Sequence, residues 1–408
     1  MRARARLCLA AAPFVLLASG AAASPPSADR EIVVERTVML MRHGVRAPLS
    51  DPAMPPGVAA SPWPEWPVPR AHLTPHGFEA VVRVGGFDRT AFPIERGKGC
   101  PSPGSIALLA DNDQRTTETA RAWAKGYAPG CSIEPATVQS GQPDPIFAPI
   151  EAAPAAFDVE AARAAVERRL PPGGFAALDA RYAPLLDRLD TILCGDKPRA
   201  ECGVRRHPTR LRPDHRGREP RLGGAIEEGA KAIQILTLEY AQGMPRTGWG
   251  RADKEDLRKI GALRAQLYDT IHRTPAIGRA FGGPTVRRMV AGLSEKTGTP
   301  RLTMLIGHDS NIAAVAGLLD LHWQVPGLAP DDPPPSGAIG LQLVRNTAGE
   351  RFVRAILRSP TLDAVRSETL SSGRRDVFTP LPIPACAPTR LACPIDRFHR
   401  IVNRAIAP

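Results

Sequence analysis

From Glu31 to Met41 the chain first alternates polar and apolar residues, then runs through Val38-Met39-Leu40-Met41 without a break. This is the pattern of a strand entering a sheet that is covered on both faces. Ser105–Ala110 and Arg301–Ile306 carry two further short apolar runs, and Gly337–Val344 and Arg351–Leu357 read as strands. Leu73-Thr74-Pro75-His76-Gly77 predicts a helix start running to about Val84, and Asp113, as N-cap, a helix to about Lys125. Apolar residues then recur at helical spacing over Asp158–Leu170, Phe175–Leu193, Gly224–Gln242 and Ala252–His272, with no strand expected between them. Helices are also predicted over Ile312–Leu319 and from Ile395 to about Ala405.

The first three strands end in polar clusters. Val38–Met41 stops at Arg42-His43-Gly44-Val45-Arg46-Ala47-Pro48, Ser105–Ala110 at Asp111-Asn112-Asp113-Gln114-Arg115-Thr116, and Arg301–Ile306 at Gly307-His308-Asp309-Ser310-Asn311. In an open α/β sheet, ligands sit beyond the carboxyl ends of the strands. If these strands are parallel neighbours, the clusters meet in one crevice. Two guanidinium groups as close as Arg42 and Arg46 repel each other, and an anion relieves that repulsion. Arg115 falls in a helix first turn, where free N–H groups also favour anions.

Bulk properties narrow the partner. The 408 residues carry a formal net charge of +12, which stays positive once the arginines of the leader are discounted. Residues 1–23 have a basic head (Arg2, Arg4, Arg6), an apolar stretch from Leu7 to Leu17 and Ala21-Ala22-Ala23 before Ser24. That is a signal-peptide pattern with cleavage expected after Ala23, followed by a periplasmic or secreted chain. No other stretch is long and apolar enough for a membrane helix. No nucleic-acid motif accompanies the basic charge, so small anions are the expected partners. Six cysteines remain after the leader: Cys100, Cys131, Cys194, Cys202, Cys386 and Cys393. Of the 15 possible pairings, sequence proximity favours Cys100–Cys131, Cys194–Cys202 and Cys386–Cys393. A zinc site is the alternative, but no Cys-x-x-Cys occurs. The arginine-rich run Arg205–Arg221 reads as a solvated loop or, functionally, as a basic rim that steers a polyanion. The tryptophan- and proline-rich stretch Asp51–Pro69 reads as a loop walling a pocket. The other histidines, His76 among them, read as structural or surface residues.

The three clusters together suit phosphoryl transfer. Arg42, Arg46, Arg115 and His308 can hold the equatorial oxygens of a phosphoryl group and stabilise its developing charge. His43 can attack phosphorus in line. Asp309 can protonate the departing alkoxide and then activate water. Guanidinium groups supply the neutralisation, so neither metal nor other cofactor is expected.

The chain resembles the histidine acid phosphatase branch of the histidine phosphatase superfamily, in particular the bacterial periplasmic phytases and glucose-1-phosphatases. The resemblance spans the mature chain. Arg42-His43-Gly44-Val45-Arg46-Ala47-Pro48 is similar to the family signature, Asp113-Gln114-Arg115-Thr116 to the stretch bearing its third phosphate-binding arginine, and Gly307-His308-Asp309-Ser310-Asn311 to its distal His-Asp motif. Trp63-Pro64-Glu65-Trp66, Asp144-Pro145-Ile146-Phe147 and Ala241-Gln242-Gly243-Met244-Pro245 are further landmarks. The resemblance implies His43 as nucleophile, Asp309 as proton donor and an acid optimum. It also implies a sheet-centred α/β domain with helices on both faces, expected over 24–152 and 269–408, and an inserted, mostly α-helical domain over 153–268. Leu49-Ser50-Asp51 lacks the lysine that phytases carry after the signature proline, and Ser310 stands where they usually have threonine; there the chain is more like a glucose-1-phosphatase. Gly44 and Ala241–Pro245 are more phytase-like. The expected substrate is a phosphorylated small molecule, a sugar or inositol phosphate, and the expected state is monomeric or weakly oligomeric. Two other readings are a non-catalytic phospholigand-binding protein, disfavoured by the intact His43 and Asp309, and a phosphomutase, disfavoured by export.

Overall fold

The computed structural model describes residues 32–94, 99–213, 219–369, 377–386 and 391–407; the leader lies outside them. In chain order the strands are β1 (Val33–Arg42), β2 (Ile106–Ala110), β3 (Arg210–Pro213), β4 (Pro220–Gly223), β5 (Leu302–Gly307), β6 (Ala338–Arg345), β7 (Arg351–Arg358), β8 (Phe378–Leu381) and β9 (Cys393–Pro394). The main sheet runs β2-β5-β1-β6-β7-β8, with β9 also paired to β7. β2, β5 and β1 are parallel neighbours, while β6 lies antiparallel to β1. Arg42 pairs with Gly307 and Ala110 with Ile306, so the three carboxyl ends finish level.

The period of two along each strand divides the core between the faces of the sheet. Val38, Leu40, Leu305, Ile339 and Leu341 face one cluster, which also takes in Ile312, Val286 and Phe398. Met39, Met41, Met304 and Ile306 face the other, against Val81, Val84 and Trp123. Helices Pro275–Ala291, Asp309–Leu319 and Ile395–Ile406 thus cover one face, and Pro75–Ala91 and Gln114–Tyr127 the other. Between β2 and β5 the chain forms helices Val159–Arg169, Gly174–Cys194, Ala225–Ala241, Lys254–Ile260 and Ala262–Thr270. Their buried residues Leu186, Ile233 and Leu263 join the first cluster rather than a core of their own.

Four departures from the pattern reading have physical causes. The Arg205–Arg221 run is not simply a loop: β3 and β4 pair, and Leu211 faces Leu222 across the hairpin, a cross-strand apolar pair hidden among arginines. Within it, Arg212 pairs with Glu227 at 2.8 Å, and Arg205 and Arg221 with Asp187 and Glu219. The single helix expected over Ala252–His272 is two, meeting at Gly261. Pro275–Ala291 went unread because Gly282, Gly283 and Pro284 oppose helix propensity. Gly282 is there for closeness: a Cβ would lie 2.9 Å from Cβ of Ala314 on the crossing helix. Asp113 occupies the N-cap position but makes no side-chain capping bond; its carboxylate pairs with Arg115 at 2.6 Å instead. The three local disulfides are present as expected, Cys100–Cys131, Cys194–Cys202 and Cys386–Cys393.

A buried ion pair ties the second face together. Arg358 Nε lies 3.0 Å from Asp88 Oδ1, both fully buried, and Trp123 Nε1 donates to Asp88 Oδ2 at 2.9 Å. Arg358→Met leaves that carboxylate without its cation, an expected loss of about 3–5 kcal/mol. The check is the denaturant midpoint, which Asp88→Asn in the same chain should partly restore.

Candidate active site

The level ends of β2, β5 and β1 bring all six residues singled out in the sequence into one crevice. His43 N donates to Gly307 O at 3.0 Å and Asp111 N to Ile306 O at 3.0 Å, continuing the ladders one residue past the strands. Gly44 turns the chain away beneath its neighbours; a Cβ there would meet Leu73 and Val81 side chains at 2.9 Å. Its N–H donates to Thr119 Oγ1 at 3.0 Å, which docks the turn on the helix that carries Arg115.

His43 is almost fully buried. Its Nδ1 donates to the Gly44 carbonyl at 2.8 Å, so the proton sits on Nδ1 and Nε2 keeps its lone pair. Burial penalises the imidazolium, and the charges of Arg115, Arg46, Arg42 and His308 add to that penalty, placing its pKa well below the usual histidine value. The ring of His308 lies edge-on, 5.7 Å away between centroids.

Each cation is aimed by its own contact. Arg42 Nη1 donates to Pro333 O at 2.6 Å, Arg46 Nη1 to Ala47 O at 2.8 Å, and Arg115 is held by Asp113. His308 is oriented by Asp111, whose Oδ2 accepts from Nε2 at 2.6 Å. Burial works to raise the Asp111 pKa, but the bond and charge of His308 outweigh it and carry it below the usual value. Among the described residues the buried Nε groups of Arg42, Arg46 and Arg115 have no hydrogen-bond partner. Buried donors left this way on three converging guanidinium groups call for an acceptor-rich ligand.

Asp309 opens the Asp309–Leu319 helix. Its Oδ2 accepts from Gln234 Nε2 at 2.9 Å and Arg264 Nη2 at 3.0 Å, with Arg42 Nη2 at 3.2 Å. Burial would raise its pKa; Arg42, Arg264 and His43 overcome burial and hold it well below the usual carboxylate range. Gln234 also accepts from Arg46 at 3.4 Å and so links Asp309 to Arg46. Asp111, Gln234, Arg264 and Asp332 were not read from the sequence. Asp111 lies inside the strand-end cluster already singled out, and its acidic neighbourhood to Arg115 was the available signal. Gln234 sits mid-helix and Arg264 in the first turn of Ala262–Thr270, with nothing local to mark either.

Asp111, Asp113 and His308 gather three ligand atoms within 4.8 Å of one another. Two of these atoms bond each other and Asp113 is neutralised by Arg115, so the group is committed to orienting cations. The Asp51–Pro69 stretch lines a cavity of about 720 Å³ that begins at Ala47 and Pro48, beside Arg46, as the wall reading anticipated. Trp249 braces two of the lining residues: its ring lies 5.0 Å from that of Trp63 and its Nε1 donates to Pro62 O at 2.8 Å. His76 is structural: Nε2 reaches Ala241 O and Val365 O at 2.9 and 3.0 Å.

A parallel strand triplet that presents a buried neutral imidazole to three arginines is an α/β arrangement suited to holding a phosphoryl group. Residues 237–358 match the description of the histidine phosphatase superfamily, branch 2. The chain is 29% identical to phytase AppA of Escherichia coli, over 93% of this chain and 94% of that one. It is 28% identical to the glucose-1-phosphatase of Salmonella typhimurium, over 98% of both. Among solved structures, the Hafnia alvei phytase in complex with tartrate superposes with a TM-score of 0.83 at 28% identity, covering 94% of this chain and 99% of the other. The same enzyme in complex with myo-inositol hexakis sulphate gives 0.82 at 29% identity, with the same coverage.

If the crevice is an anion site, inorganic phosphate stabilises the folded protein by mass action, by about 2.7 kcal/mol at a hundredfold excess over Kd. The thermal midpoint of the wild type is expected to rise with phosphate. Arg46→Ala and Arg115→Ala should show little of that rise, by scanning calorimetry at acid pH.

Proposed function

We propose that the protein is an exported acid phosphomonoesterase that hydrolyses a sugar or inositol phosphate through a phosphohistidine on His43. The observation that carries this reading is the pairing of His43, kept neutral by burial and surrounding cations, with Asp309 across the same arginine cradle. A nucleophile that resists protonation and a carboxyl group that can gain a proton when an anion arrives are what acid phosphoester cleavage needs.

The steps follow from the contacts. The phosphoryl oxygens take up the free donors of Arg42, Arg46 and Arg115 and sit against His308. Their negative charge offsets the guanidinium charge that holds Asp309 low, so the Asp309 pKa rises and the group takes a proton at acid pH. His43 Nε2 then attacks phosphorus, the ester bond to the leaving oxygen breaks, and Asp309 gives that oxygen its proton. The Asp309 carboxylate next removes a proton from water, which attacks the phosphohistidine and frees His43 and phosphate. Turnover of alkyl phosphates therefore falls as pH rises through the Asp309 pKa of the complex, because the acid form is the one that works.

Export is supported by the leader-like first 23 residues and by pairing of all six remaining cysteines. Sugar and inositol phosphates are favoured by the relatives, which are named for phytate and glucose 1-phosphate. The absence of a lysine in Leu49-Ser50-Asp51 leaves these two substrates to be separated by assay.

Phosphate release from phytate, glucose 1-phosphate and p-nitrophenyl phosphate at acid pH tests the reading. Wild type is expected to hydrolyse at least one of the first two, and His43→Ala none of them; release by His43→Ala at the wild-type rate would sink the proposal. Asp309→Asn is expected to lose about 10²–10⁴-fold on the alkyl phosphates and markedly less on p-nitrophenyl phosphate, whose leaving group needs little protonation. An equal loss on both classes would remove Asp309 from the acid role.

A further inference from the structure

Arg264 reaches the site from the Ala262–Thr270 helix and is almost fully buried. Its guanidinium lies between two carboxylates. Nη2 donates to Asp309 Oδ2 at 3.0 Å, and Nη1 lies 3.1 Å from Asp332 Oδ1. Nη2 also lies 3.3 Å from Tyr268 Oη. Asp332 is 1% exposed, and neither of its oxygens has a directed hydrogen bond among the described residues. Its close partner there is this ion pair. A carboxylate so buried has no evident use except to counter a cation. The next residue, Pro333, supplies the carbonyl that aims Arg42, so one short segment steadies both cations that touch Asp309.

Resting on the phosphatase reading above, we propose that Arg264 is a positioning residue, shared between Asp309 and Asp332, that sets the pH range over which Asp309 can deliver its proton. Arg264 need not touch substrate. It fixes the Asp309 carboxylate by one oxygen, and its charge favours the ionised form. Asp332 draws part of that charge away. The two residues therefore bias Asp309 in opposite directions: Arg264 holds its proton affinity down, and Asp332 limits how far. Asp309 is faced in addition by Arg42, His43 and Arg46 at the end of β1 and just beyond, by Tyr268 and His272 beside Arg264, and by Gln234 from Ala225–Ala241. Among these cations, Arg42 and Arg46 lie in the cradle that substrate phosphate neutralises. Arg264 is instead tied to Asp332, so its influence persists in the complex.

The test is the pH profile of phosphoenzyme formation. Enzyme saturated with glycerol 2-phosphate is quenched in alkali, where phosphohistidine survives, and the label is counted against time at each pH. In Arg264→Met the alkaline limb is expected to move up by about 1–3 pH units, the range for removing an opposite charge beside a carboxyl group. Arg264→Lys keeps the charge and should leave the limb near its wild-type place. Asp332→Asn should move it down. With p-nitrophenyl phosphate both shifts should shrink. A uniform fall in rate at every pH with the limb unmoved, or a shift in Arg264→Lys as large as in Arg264→Met, would overturn the assignment. Should Arg264→Met fail to fold, Asp332→Asn decides alone, since an unmoved or raised limb contradicts the shared-charge account. If wild type forms no phosphohistidine, the phosphatase mechanism fails and this inference with it; if it does and the limbs stay put, only the inference fails.

Discussion

Everything in the crevice answers to one electrostatic constraint, the crowding of buried positive charge around a histidine that must stay neutral. Arg42, Arg46 and Arg115 converge with His308 on His43, and burial removes the water that would screen them. The fold manages this charge in two ways. Some of it is matched by carboxylates at fixed distances: Asp113 on Arg115, Asp111 on His308, Asp309 on Arg42 and Arg264. The remainder, the unpartnered Nε donors of three arginines, is left for a ligand. The same field attracts an anion and opposes protonation of His43.

The scaffold explains how such a cluster can be stable. Arg42 follows an unbroken buried run and is the last residue of β1; Asp111 and His308 each follow a strand directly. Parallel pairing with level ends then places groups from residues 42, 111 and 308 side by side, although they are far apart along the chain. Helix Asp309–Leu319 begins at the same level, and its first turn delivers Asp309. The helices between β2 and β5 complete the site rather than merely covering it. Gln234 and Arg264 come from them, and both reach the single oxygen Oδ2 of Asp309.

Strand ends were legible in the sequence because burial and chemistry change within one residue there. An apolar run that stops at Arg42-His43 or Gly307-His308-Asp309 leaves few readings open, and the α/β organisation followed from where such runs fell. Residues that reach the site from away from the strand ends were not legible. Arg264 looks like any exposed arginine of an amphipathic helix until its neighbours in space are known, and Asp332 sits in a proline-rich stretch that reads as plain loop. The β3–β4 hairpin was missed because its apolar pair, Leu211 and Leu222, is one residue deep among arginines. Pro275–Ala291 was missed because residues that weaken an isolated helix were selected there for close helix crossing. In each case tertiary contact overrode the local signal.

The central claim is that His43 Nε2 becomes covalently bonded to phosphorus during turnover. It is tested most directly by quenching the enzyme in alkali during hydrolysis of a labelled phosphate ester and mapping the label by peptide mass spectrometry. A single phosphorylated residue, His43, is expected, with the label lost on longer incubation before the quench once substrate is spent. A label on any other residue, or hydrolysis at full rate with no labelled intermediate and inversion at phosphorus, would contradict it.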